Sequence, residues 1–244
     1  MARARAAIER TRTRVGAVKD RQADLALQLS LNTLPLKFPV QGAAWSINGF
    51  LGRALVDAVL ETKPRVIVEL GGGISTVLIA AALEHLNWTE TRHIAVDHLQ
   101  HYLELTRTRL DAQGFARKTE LWLCPLEDVA SCGDAGTLEN TPWYQGLTER
   151  LAETLGEAKI DLLLVDGPPA RLHPLARRPA LDRLRSHLRP GAIVFLDDAK
   201  RTEEQATLEY WKNTHAGIEV EVSGDMKGYA RISIPSELPA TPNG

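Results

Sequence analysis

Acidic residues stand where short apolar runs end. Glu69 closes the run Arg65–Glu69 (RVIVE), Asp97 closes His93–Asp97 (HIAVD), and Asp166 closes Ile160–Asp166 (IDLLLVD). Asp197 closes Ala192–Asp197 (AIVFLD), with Asp198 directly after it. A fifth run, Thr119–Leu123 (TELWL), is followed by Cys124-Pro125-Leu126-Glu127-Asp128. Carboxylates of this kind accept hydrogen bonds from a sugar diol, hold hard cations or take protons from a nucleophile. Behind Glu69 comes Leu70-Gly71-Gly72-Gly73, whose glycines allow a sharp turn and a close approach of backbone to a ligand. The loop lacks the third glycine of a dinucleotide fingerprint, because Thr76 holds that place. Asp97 lies 24 residues beyond Gly73, near the position where an acid grips a ribose.

The elements that position these residues follow from the patterning. Near-continuous apolar runs of this length, rich in β-branched residues, are strands buried on both faces of a parallel sheet. Helical patterns lie between them, near residues 74–86, 99–113, 146–157 and 175–188. Strand alternating with helix means βαβ units and an open α/β sheet. A further helix is expected over 201–215. The segments 218–222 (IEVEV) and 229–234 (YARISI) then alternate apolar and polar, which predicts a hairpin and an antiparallel strand at the sheet's edge. In such a sheet ligands bind outside the carboxyl ends of the strands, where the strand order reverses. Residues 2–30 read as one helix, with Ile8, Val15, Val18, Leu25 and Leu29 at a and d spacing, a thin stripe suited to packing or self-association. The expected organisation is an N-terminal helix and linker over 1–42, an α/β domain over 43–235 that holds the acids and the glycine loop, and a frayed tail over 236–244.

The 244 residues carry a net charge of −2, which argues against a whole-domain nucleic-acid footprint. Charge is nonetheless uneven, since residues 1–21 hold seven Lys or Arg against Glu9 and Asp20. The longest apolar run is the seven residues Val77–Leu83, far short of the roughly 18 that a membrane span needs. Two cysteines, Cys124 and Cys132, make no CxxC pair and no disulfide framework, which points to a reducing, cytoplasmic compartment.

The stretch Val66–Ala81 (VIVELGGGISTVLIAA) together with Asp97 resembles motif I and the ribose acid of class I S-adenosylmethionine-dependent methyltransferases. The terminal hairpin resembles their antiparallel last strand, and the likeness runs over about residues 40–234. The pieces Asp166-Gly167-Pro168-Pro169, Arg189-Pro190-Gly191-Ala192 and Leu196-Asp197-Asp198-Ala199 resemble the O-methyltransferases related to catechol O-methyltransferase and to sugar-modifying enzymes. The resemblance implies a Rossmann-like, mostly parallel seven-stranded sheet with helices on both faces. It implies S-adenosyl-L-methionine as methyl donor and the hydroxyl of a small molecule (sugar, phenol or secondary metabolite) as acceptor. By position, Glu69, Gly71, Gly73, Ser75 and Asp166 would meet the donor, Asp97 its ribose, and Leu126 with Glu127 its adenine edge. Asp166, Asp197 and Asp198 would be ligands of a divalent metal. One departure stands out: the catechol enzymes place a lysine base three residues after the first metal acid, where this chain has Pro169.

The residues by themselves support the same chemistry and leave alternatives open. Three carboxylates from two strand ends make an oxygen-rich site suited to Mg²⁺. Equally, Asp197 would cap the following helix while Asp198 pairs with Lys200 or Arg201. Candidate catalytic residues are Asp166, Asp198 and His173, the last as a base in the loop after the fourth run. His98 and His101 read as surface or adenine-edge residues, and Trp143-Tyr144 as a cover for the acceptor or a patch on the sheet edge. The arginines Arg171, Arg177, Arg178, Arg183, Arg185 and Arg189 read as a solvated helix face. Competing functions are an NAD-type oxidoreductase and a non-catalytic module assembling through the N-terminal helix.

Overall fold

A computed structural model describes residues 34–38, 47–132 and 138–236. The expected N-terminal helix over 2–30, and almost all of the tail over 236–244, lie outside the described residues. The first element, α1 (Gly49–Thr62), starts where the Asn48 side chain accepts from the Leu51 N–H at 3.0 Å, and its Leu51, Leu55, Val56 and Val59 are buried. Then follow β1 (Val66–Leu70), α2 (Ile74–His85), β2 (Arg92–Asp97), α3 (Gln100–Gln113), β3 (Glu120–Leu123), β4 (Leu126–Cys132), β5 (Leu138–Tyr144) and α4 (Leu147–Leu155). The chain continues with β6 (Ile160–Val165), α5 (Pro179–Leu184), β7 (Leu188–Asp197), α6 (Thr202–Thr214), β8 (Glu219–Val222) and β9 (Tyr229–Ser233).

Seven strands form one sheet in the order β3-β2-β1-β6-β7-β9-β8, parallel except for β9. The expected Rossmann-like sheet is therefore present. One detail differs: the antiparallel β9 lies between β7 and β8, so the edge strand β8 runs with the rest.

Alternation along the central strands splits the core in two. Val66, Val68 and Leu70 of β1 and Leu163 and Val165 of β6 pack with Leu147, Leu151, Leu181 and Trp211 of α4, α5 and α6. Ile67 of β1 and Leu162 and Leu164 of β6 pack with Leu55, Val59, Leu78 and Leu110 of α1, α2 and α3. Burial of both faces is why these strands read as unbroken apolar runs. Among the described residues no helix is long and apolar enough to cross a membrane.

Three segments depart from expectation. Helix α1 had no predicted counterpart. The segment after the third run folds back as the two-stranded β4–β5 hairpin, with Leu126 opposite Tyr144 and Glu127 opposite Trp143. The helix expected over 175–188 is shorter, because Pro179 presets its first turn and the chain tightens into a 3₁₀ turn at Arg185–His187.

Asn48 also donates from Nδ2 to Asp225 Oδ1 at 2.9 Å, tying the start of α1 to the β8–β9 loop. Asn48→Ala removes both bonds and is expected to cost about 1–2 kcal/mol in urea unfolding, with the m-value unchanged. A midpoint equal to wild type would show that neither bond contributes.

Candidate active site

The strand order reverses between β1 and β6, and a cleft of about 300 Å³ opens at their carboxyl ends. Gly71, Gly72 and Gly73 line it from β1, Ser75 from the start of α2, and Asp97 with His98 from the end of β2. Asp166, Gly167 and Pro169 line it from β6, Asp198 from β7, and Lys227 from the β8–β9 loop. Tyr144 reaches in from the hairpin and Arg177 from the segment before α5.

Gly71 has φ +94°, and a Cβ there would sit 3.2 Å from the Asp166 carbonyl carbon and the Gly167 nitrogen. Only glycine lets the two strand ends lie this close. Gly71 N–H donates to Val96 O at 2.8 Å and Asp166 N–H to Leu70 O at 2.9 Å, so the ends of β2, β1 and β6 are laced together. Gly167 meets the hydroxyl of Tyr144, with which any Cβ would collide.

Asp97 is 6% exposed and accepts from the Leu99 N–H at 2.9 Å, which fixes its carboxylate at the cleft wall. Tyr144 is buried, and its hydroxyl has no hydrogen-bond partner among the described residues. Burial, reinforced by the charges of Asp97 and Asp166 and opposed by Arg177, raises its pKa well above the ordinary phenol value. It therefore stays a proton donor in the cleft.

At the end of β6 and β7 the charges are dense. Arg177 is 5% exposed; it donates to Asp197 O and Asp166 O, each at 2.9 Å, and to Asp166 Oδ1 at 3.1 Å and Asp198 Oδ2 at 3.2 Å. Glu204 Oε1 lies 3.4 Å from the same guanidinium. Lys227 donates to Asp197 Oδ2 at 2.6 Å, and Arg201 pairs with Asp198 Oδ2 at 2.8 Å. Burial and the neighbouring Asp197 raise the Asp166 carboxyl well above the usual carboxylate range, against the pull of Arg177 and Lys227. Burial also raises Glu204, again opposed by Arg177.

Several expected site residues stand elsewhere. Glu69 shares the face of Ile67 and is fully buried, with His93 Nε2 2.6 Å from its Oε1 and Thr119 Oγ1 2.9 Å from His93 Nδ1. The pleat turns it under the sheet rather than into the cleft. Leu126 packs half-buried against the core and Glu127 is exposed on β4, and neither is among the residues that line the cleft. His173 stays outside the cleft lining, its Nδ1 accepting the Leu175 N–H at 3.1 Å. Gly71, Gly73, Ser75, Asp97, Asp166 and Asp198 do converge. Asp197 lies behind them, held by Lys227.

Arg177 and Lys227 were not foreseen as site residues. Arg177 and its neighbour Arg178 are buried, not a solvated face. The usable signal was the acid cluster itself, since buried carboxylates require matching cations.

A family model described as a methyltransferase domain matches residues 68–199, more than half of the chain. The chain belongs to this methyltransferase family. The match spans the glycine loop, Asp97, Asp166 and the Asp197–Asp198 pair, and it sets aside the NAD-type oxidoreductase reading. No curated protein matches the sequence. Among solved structures, the O-methyltransferase TomG from Streptomyces achromogenes, involved in tomaymycin synthesis and solved with SAM, is 17% identical with a TM-score of 0.54, over 78% of this chain and 82% of that one. An O-methyltransferase from Bacillus cereus in complex with SAH is 14% identical with a TM-score of 0.57, over 88% and 90%. A further likeness, at 18% identity and TM-score 0.53 over 87% and 89%, is to an O-methyltransferase of Klebsiella pneumoniae named as such provisionally. These likenesses show that the methyltransferase shares their fold.

Two predictions follow from the methyltransferase's buried polar groups. Tyr144→Phe deletes a buried hydroxyl with no described partner, so its stability to urea is expected to stay within about 1 kcal/mol of wild type or to rise; a larger loss would reveal a bond to that hydroxyl. The raised carboxyls of Asp166 and Glu204 mean that the folded state keeps protons which the unfolded state has lost. Stability should therefore fall as pH rises from the ordinary carboxylate pKa through the raised values. Asp166→Asn fixes a neutral side chain and should flatten that fall in a series of urea titrations across pH; an unchanged slope would assign the effect to other groups.

Proposed function

We propose that the cleft binds S-adenosyl-L-methionine and that the chain transfers its methyl group to a hydroxyl oxygen of a small molecule. The observation that carries this reading is the convergence of Gly71, Gly73 and Asp97 on one cleft at the point where the strand order reverses. Bound there, the donor supplies a methyl carbon on a sulfonium sulfur. Asp97 accepts from the ribose hydroxyls, and the glycine turn lets the donor's amino-acid end lie against backbone. The neighbouring Tyr144 hydroxyl offers one further donor in a site shielded from water.

Transfer to oxygen is an in-line displacement, so alignment of acceptor and methyl group is the protein's main contribution. The acceptor hydroxyl must also lose its proton. Asp166 and Asp198 lie on the same cleft, and burial together with the neighbouring Asp197 raises the proton affinity of the Asp166 carboxylate, which strengthens it as a base. His173, off the cleft, has no part in this reading.

A divalent ion is the other group the resemblance implies. Asp166, Asp197 and Asp198 do come together, each offering one oxygen within 4.8 Å of the others. All three carboxylates are in contact with Arg177, Arg201 or Lys227, however, so the donor set suits fixed cations better than an octahedral ion.

Calorimetric titration with S-adenosylhomocysteine, the demethylated product, tests the reading. Saturable binding is expected, and Asp97→Ala should weaken it about tenfold or more, the loss of a charged hydrogen bond. No heat with wild type, or full affinity in the variant, would overturn it.

A further inference from the structure

Oxygens grouped like those of Asp166, Asp197 and Asp198 are what a hard divalent ion collects, at about 2.0–2.6 Å each. Here the chain brings cations of its own to them. Arg177 Nη2 bridges Asp166 Oδ1 at 3.1 Å and Asp198 Oδ2 at 3.2 Å, one acid from each strand end. Lys227 Nζ bridges Asp197 Oδ2 at 2.6 Å and Asp198 Oδ1 at 3.5 Å. The two side chains thus span the positions that an ion would link.

Neither cation is a chance neighbour. Arg177 is buried, and its two terminal nitrogens also donate to the main-chain carbonyls of Asp166 and Asp197. Displacing it would leave two strand-end carbonyls and Glu204 without their donor in a buried place, which is costly. A guanidinium is planar and permanently charged, so it serves as a fixed bridge. Lys227 sits in a loop that is tied down on both sides: Asp225 Oδ1 accepts from Gly228 N–H at 2.6 Å and from Asn48 Nδ2 at 2.9 Å, and Lys200 Nζ donates to Asp225 O. Four carboxylates (Asp166, Asp197, Asp198, Glu204) face three cations (Arg177, Arg201, Lys227). With all four ionised the set is one charge short of neutral, so a divalent ion would turn it net positive in a buried site, and any proton kept by Asp166 or Glu204 adds to that excess.

We propose that Arg177 and Lys227 are built-in replacements for a divalent ion: this methyltransferase works without a metal, and Lys227, on the cleft wall, presents its ammonium to the acceptor oxygen. Arg177 is then a positioning residue, holding the two strand ends at fixed separation. The inference rests on the methyl-transfer reading above for the identity of the acceptor end, and on the ion contacts alone for the exclusion of metal.

Full-length protein stripped with EDTA, then titrated with Mn²⁺ by calorimetry and by electron paramagnetic resonance, tests it. The same sample is titrated with S-adenosylhomocysteine, so that a failure of donor binding is read separately. The expected result is no saturable Mn²⁺ binding up to about 1 mM, alone or with S-adenosylhomocysteine, and transfer rates equal in EDTA and in Mg²⁺. Lys227→Met, at a side chain 28% exposed, releases Asp197 and should raise Mn²⁺ affinity at least about tenfold. One Mn²⁺ per wild-type chain with a Kd below about 100 μM, abolished by Asp198→Asn, would overturn the proposal. A Lys227→Met variant with the wild-type response would remove Lys227 from it.

Discussion

A single buried guanidinium holds the carboxyl ends of β6 and β7 together. Arg177 satisfies the terminal carbonyls of Asp166 and Asp197 and bridges the carboxylates of Asp166 and Asp198, with Glu204 behind it. So many acids at the ends of buried strands would repel one another without a cation among them. The arrangement of the cleft depends on this balance. Asp166 and Asp198, which both line the cleft, each give one carboxylate oxygen to Arg177, and Asp197 is held by Lys227. Replacing such a pair with apolar side chains need not cost stability, but removing one partner strands the other.

The opposite wall is built by close backbone approach rather than by charge. Gly71 lets β1 meet β6, Gly167 leaves room for the Tyr144 hydroxyl, and Asp97 is oriented by a neighbouring backbone N–H. The division matches the chemistry of methyl transfer, in which a donor with a sugar and an amino-acid end must lie along one wall while an acceptor oxygen approaches from the other. The acids and cations of β6, β7 and the β8–β9 loop occupy that second side.

Much of this was legible in the sequence. Strand positions announced themselves because both sheet faces are buried, and the acids at their ends marked the cleft before any geometry was known. Glu69 misled because being at a strand end does not say which way the pleat points; it shares the face of Ile67 and ends beneath the sheet with His93. The β4–β5 hairpin escaped notice because Glu127, Asp128 and Pro142 break the apolar pattern that betrays a central strand. Arg177 and Lys227 escaped for a different reason. Their partners are 11 to 30 residues away in sequence, and no local period encodes a contact made only when strand ends meet. Arg177 looked like a member of a surface cluster because charge composition does not report burial.

The central claim is that one cleft at the carboxyl ends of β1, β2 and β6 receives the donor while fixed cations order the acids beside it. A crystal structure of the full chain grown with S-adenosylhomocysteine and Mn²⁺ addresses it most directly, since anomalous scattering locates any ion. The account predicts the ligand between Gly71 and Asp97, its ribose hydroxyls on the Asp97 carboxylate, and the Arg177 guanidinium between Asp166 and Asp198 with no anomalous peak there. A ligand bound elsewhere, or a manganese ion coordinated by Asp166, Asp197 and Asp198 with Arg177 turned away, would contradict it.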